Sequence, residues 1–121
     1  MRIDRKQLRA RVQVTPIAKA ASATLTIAEL LSLLITTSGT AAMTLTLPTG
    51  TLTEAGLIPA FAVNESFDWN LLNAGTSLAA VMLAAGTGHT IQGAAAVAIG
   101  TSAGWRTRKT AANTFVTYRM H

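Results

Sequence analysis

From residue 20 to residue 105 the chain contains no lysine or arginine, and its charges there are Glu29, Glu54, Glu65 and Asp68. Soluble domains ordinarily dress their surface with roughly 25–35% charged side chains, and only 12% of this chain is charged. Much of the middle is therefore expected to face protein, either its own core or neighbouring subunits. The basic residues sit at the two ends. Arg2, Arg5, Lys6, Arg9, Arg11 and Lys19 open the chain, and Arg106, Arg108, Lys109 and Arg119 close it. Ends of one sign point to an acidic partner by charge complementarity.

The apolar half of the composition is small-residue rich. The 121 residues include 23 Ala and 19 Thr against six aromatics. That length fits one domain. Aromatic side chains bury roughly 150–250 Å² each and alanine far less, so the core is expected to be modest and to gain stability by self-association. There is no cysteine, which removes disulfides, thiol nucleophiles and Cys-based metal sites. No apolar stretch follows the basic start as a secretory signal would require. The longest apolar run, residues 78–85, is far short of the ~18 residues a membrane span needs, so a membrane role is not expected.

Residues 1–20 read as a basic arm and 21–121 as a body. Within the arm, residues 11–15 alternate as a short strand before Pro16 forbids regular helix. Thr26 and Glu29 have capping-box spacing, and Leu30, Leu31, Leu33 and Leu34 suggest two to three helical turns ended by residues 36–39. Residues 42–47 alternate as a strand, and residues 51–58 suggest a helical turn capped by Thr51 or Thr53. Residues 66–72 place Phe67, Trp69 and Leu71 on one face. Residues 78–83 read as apolar on both faces, and further strands are expected at 89–93, 94–99, 104–108 and 114–119. Short strands at this spacing predict a mainly β body, a β-sandwich or barrel with one or two short helices.

Chemistry-bearing groups are sparse. Glu29 and Glu54 are accounted for by helix starts, and Glu65 and Asp68 bracket a strand, which makes a poor acid/base pair. His89 follows Gly-Thr-Gly, but the only other histidine is His121, so no metal set is expected; a backbone-bonded, turn-flanking role fits it better. Neither a phosphate loop nor a dinucleotide fingerprint is present. The chain is read as a non-enzyme with no cofactor. Arg106, Arg108 and Lys109, with Trp105 and Tyr118 as stacking platforms, permit nucleic-acid binding. The uncharged middle offers no basic continuation, so contact with protein carboxylates is the better reading of this second basic cluster.

The strings SFDWNLLN at 66–73, AGTGHTIQG at 85–93 and GWRTRKTAANTFVTYR at 104–119, with TLTLPTG at 44–50, resemble small virion proteins of tailed bacteriophages. The resemblance covers roughly residues 24–119. It implies a capsid cement (decoration) protein of jelly-roll or tulip-like form, made in the bacterial cytoplasm and carried on the virion. It also implies a homo-oligomer, a trimer ahead of a dimer, bound to the major capsid protein. The arm cations Arg2, Arg5, Lys6, Arg9, Arg11 and Lys19 are expected to dock on capsid subunits. Phe67, Trp69, Trp105, Phe115 and Tyr118 are expected as core or subunit-interface anchors. A head-fibre or tail-fibre, receptor-binding module remains the alternative.

Overall fold

Side chains alternating with period two bury one face of each strand, and here the alternation runs through two sheets. The computed structural model describes residues 12–76 and 80–121. In chain order it contains β1 (Ile17–Lys19), β2 (Ala23–Thr24), α1 (Ile27–Leu30), β3 (Leu34–Thr37), β4 (Met43–Thr46), α2 (Gly50–Ala55), β5 (Ser66–Asn73), β6 (Val81–Ala84), β7 (His89–Gln92), β8 (Ala96–Val97), β9 (Ser102–Ala111) and β10 (Thr114–Arg119).

The larger sheet has the order β1-β3-β5-β9-β10-β7 and the smaller β2-β4-β6-β8. From β1 to β8 each strand lies in the opposite sheet from the one before it. Through β6 the chain runs out along the large sheet and back along the small one, and β8 then joins the small sheet antiparallel to β6. Hence β1, β3 and β5 are mutually parallel, as are β2, β4 and β6. The return crossings at one end carry α1 and α2; we call this the helix end. The hairpin β9–β10 then adds antiparallel to β5, and β7 closes the large sheet parallel to β10.

The two inner faces meet in one core. Ile35, Trp69, Leu71, Ala103 and Trp105 come from the large sheet, and Met43, Leu45, Val81, Leu83 and Val97 from the small one. Trp69 and Trp105, paired across β5 and β9, stack with centroids 5.8 Å apart. The mainly β expectation with two short helices therefore stands. The strand order is largely parallel, which does not clearly match a jelly roll, whose sheets are antiparallel.

Local departures have local causes. The capping box at Thr26 and Glu29 forms as expected, but α1 is a single turn. Leu33 adopts φ +76°, and the leucine run passes at once into β3. Residues 34–37 thus follow a period of two, with Ile35 and Thr37 buried, and do not end a helix. The cap of α2 is Thr49, whose hydroxyl accepts from the Leu52 N–H; neither Thr51 nor Thr53 serves. Residues 12–16 carry no strand, and the pairing begins after Pro16, inside the segment read as arm. In β6 only one face is covered, because Met82 is exposed. The strand expected over residues 94–99 shrinks to β8.

Gly50 begins α2 against the Asn113 carbonyl, and a Cβ there would overlap that backbone oxygen. Gly50→Ala is expected to lower unfolding free energy by about 1–3 kcal/mol, the usual cost of overpacking; urea titration measures it.

Candidate functional site

The outer face of the large sheet gathers the polar side chains. Register places Asp68 opposite Arg106, and Arg106 opposite Tyr118. The Arg106 guanidinium grips Asp68 with two hydrogen bonds, Nε to Oδ1 at 2.7 Å and Nη2 to Oδ2 at 3.0 Å. Arg108 donates to the Tyr118 hydroxyl and to Asn64 Oδ1, and its guanidinium lies over the Tyr118 ring. Beside them, the His121 ring lies against Gly104, where any Cβ would collide with it. Asp68, Asn70, Arg106, Met120 and His121 rim a shallow cleft of about 260 Å³.

Lys109 is not part of this row. It lies at the opposite parity of β9, on the inward side, pairing with Glu54 and donating to the Phe61 carbonyl. The second basic cluster is thereby divided between two faces of β9. Trp105 is not a stacking platform either, being buried beneath the Arg119 guanidinium at 5.2 Å. Of the aromatic anchors, Trp69, Trp105 and Phe115 are buried, Phe67 is half-buried against the core, and Tyr118 is half-buried on the outer face. Arg2, Arg5, Lys6, Arg9 and Arg11 lie outside the described residues. Lys19 ends β1 and forms an ion pair with Glu29.

All four described carboxylates are engaged within the fold. Burial alone would raise the Glu29 carboxyl, but Lys19 and the Thr26 N–H outweigh it and hold it below the ordinary value. Glu54 is held low by the hydrogen bond from Lys109, helped by the Asn113 N–H. Glu65 accepts from the Ala62 N–H, and Asp68 is clasped by Arg106. Among the described residues no three His, Cys, Asp or Glu gather to hold a metal ion, and no helix is long and apolar enough to cross a membrane.

His89 lies inside, at the end of a hydrogen-bond chain that reading by motif did not find. Trp69 Nε1 donates to Thr107 Oγ1, Thr107 and Thr117 share a bond of 2.8 Å, and Thr117 Oγ1 lies 2.6 Å from His89 Nε2. On the other side Nδ1 is 3.2 Å from the Pro48 carbonyl. A carbonyl can only accept, so Nδ1 carries the proton and Nε2 of the neutral ring accepts from Thr117. Every hydroxyl then points the same way along the chain. The backbone bond expected for His89 is present, though the ring is a buried core element. The signal was available in the parity of Thr107 and Thr117, which share a face with Trp105 and Phe115.

At the helix end a second depression, about 480 Å³, is walled by Ala55, Leu57, Ile58, Pro59 and Phe61, with Glu54 and Lys109 at its edge. Leu52, Ile58 and Val63, all exposed, belong to the same crossing, and exposed Leu31 caps α1 nearby in the fold.

Burial depresses the His89 pKa more than the Pro48 carbonyl raises it. Between that lowered value and the ordinary ~6.5, the unfolded chain binds a proton that the folded chain refuses. Stability is full above the ordinary value and falls as pH drops through it, by up to about 1.4 kcal/mol per pH unit. Urea midpoints from pH 8 to pH 5.5, above the carboxylate range, should show this limb, and His89→Gln should flatten it. Compared with protein-family models, with curated proteins and with solved structures, the chain has no match in any of the three.

Proposed function

We propose that this chain is a non-catalytic virion subunit, a capsid cement or decoration protein of a tailed bacteriophage. In this reading it self-associates and lies on the outer shell, with its basic N-terminal segment docked on capsid subunits. The observation that carries the reading is the state of the carboxylates. Each described one is already held by a cation or a backbone N–H, an engagement that suits surface contact better than acid–base chemistry. The outer face of the small sheet supports it too, since Thr24, Thr44, Thr46, Met82, Ala84 and Ala96 present no charge. The segments that carry the resemblance form β4, β5, β7 and the β9–β10 hairpin. Two packed sheets meet the needs of such a subunit, and a jelly-roll or tulip-like order is not required for it.

The fibre or receptor-binding reading has one observation in its favour, the cleft rimmed by Asp68, Asn70, Arg106 and His121. Those groups donate and accept in the manner that hydroxyl-rich glycans require. Binding on a glycan array, abolished by Arg106→Ala, would favour it.

Because β1 begins at Ile17, deletion of residues 1–11 removes five cations and spares the sheet. Mixed with shells of the encoding phage, the deleted protein should lose at least about tenfold in affinity, measured by co-sedimentation. Raising salt from 0.05 to 0.5 M should weaken the full chain toward the same level, since exposed charges are screened within roughly 10 Å at 0.1 M. Full occupancy by the deleted protein would remove the arm from the mechanism.

A further inference from the structure

Among the described residues nine large apolar side chains are exposed, and six of them, Val12, Val14, Leu31, Leu52, Ile58 and Val63, lie at the helix end. A concentration of this kind on one end of a small domain marks a contact surface. Its two halves differ in shape. One is a prong. Val12 and Val14, 83% and 54% exposed, lie in a non-helical, non-strand segment held by Gln13, whose amide donates to the Ser32 carbonyl at 2.9 Å. The other is the depression beside α2, where Leu57, Ile58, Pro59 and Phe61 meet the Glu54–Lys109 pair.

In its own copy the prong is tied by Gln13 to the Ser32 carbonyl. It enters the fold at β1, the edge of the large sheet, whereas Lys109 and Asn113 place the depression at β9 and the β9–β10 turn. Those strands are three places apart, about 14 Å at the usual strand spacing. The charges also match. The chain upstream of Val12 carries Arg11 and Arg9, and exposed Glu65 lies in the crossing that forms the depression.

We infer that the Val12–Val14 prong of one copy seats in the Ile58–Phe61 depression of a second copy. This rests on the proposed reading of a self-associating subunit and names its contact. The contact is heterologous, prong to groove, and both halves lie at the helix end. A heterologous contact gives a ring where its rotation closes and an open chain where it does not.

Sedimentation velocity on the full chain tests the assignment, with circular dichroism confirming that each variant folds. Wild type should be an oligomer. The double variant V12D/V14D and the single variant Ile58→Asp should each weaken association on the order of thirtyfold or more, as loss of a central apolar anchor does. Met82→Asp, on the small sheet's outer face, should leave it unchanged. An equimolar mixture of V12D/V14D and I58D should form heterodimers that grow no further, because one intact prong still meets one intact groove. A mixture that stays monomeric, or variants that keep the wild-type state, would overturn the assignment while leaving the decoration reading standing. Loss of association in M82D alone would move the contact to the small sheet and overturn it too. A monomeric wild type would remove both this contact and the self-association in the proposed function.

Discussion

The stack of Trp69 on Trp105 holds together the two unlike halves of the large sheet. On one side β1, β3 and β5 run parallel, each delivered by a crossing from the small sheet. On the other side β9, β10 and β7 are assembled around an antiparallel hairpin. The β5–β9 ladder is the seam, and the two indoles face each other in its middle. A slip of β9 by one residue against β5 would turn Trp105 to solvent and Arg106 toward the core, parting the indoles and the ion pair together. The bidentate pair outside and the stack inside therefore specify the same register from opposite faces.

That seam also fixes the interior polar chain. With Trp105 pointing inward, Thr107 must as well, and the hairpin brings Thr117 opposite it. Trp69 Nε1, which would be costly to bury unpaired, finds its acceptor there. The chain ends on His89, which β7 places beside Phe115. A single direction of donation runs from the indole to the Pro48 carbonyl, and this fixes the tautomer of the imidazole. Threonine suits the task because it combines β-branching for the strand with a hydroxyl that both donates and accepts. The abundance of threonine thus has an internal as well as an external use.

Much of the strand content was legible because alternation is local. Phe67, Trp69 and Leu71 in β5 and Met43 and Leu45 in β4 announce their buried faces without reference to anything distant. The leucines of residues 30–34 misled for the same reason: over so few residues a period of 3.6 and a period of two select overlapping positions, and only the left-handed Leu33 breaks the tie. The winding was not legible at all. Alternation records which face is buried, but not whether the next strand returns in the same sheet or the opposite one. The candidate surfaces were readable in part. Parity in β9 separates Arg106 and Arg108 from Lys109, yet the grip of Lys109 on Glu54 joins positions far apart in sequence that only the crossings bring together.

Winding also changes what the long cation-free stretch means. In sequence it spans most of the chain, but in space it is interrupted, because the hairpin inserts Arg106 and Arg108 beside β5 and wets the outer face of the large sheet. Arg119, from the same hairpin, turns its guanidinium onto Trp105 and the carbonyls of Ala94 and Ala96. Two surfaces receive no such supply, the outer face of the small sheet and the apolar part of the helix end. They differ in kind. The small sheet presents a flat face mostly of short side chains, which water tolerates because threonine hydroxyls interrupt it. The helix end presents branched and aromatic side chains beside a depression, with six of the nine exposed large apolar residues among those described. Burial stabilises in proportion to apolar area, at roughly 25 cal/mol per Å². The drive to be covered is therefore stronger at the end of the fold than across its sheet, and it acts where the basic segment enters.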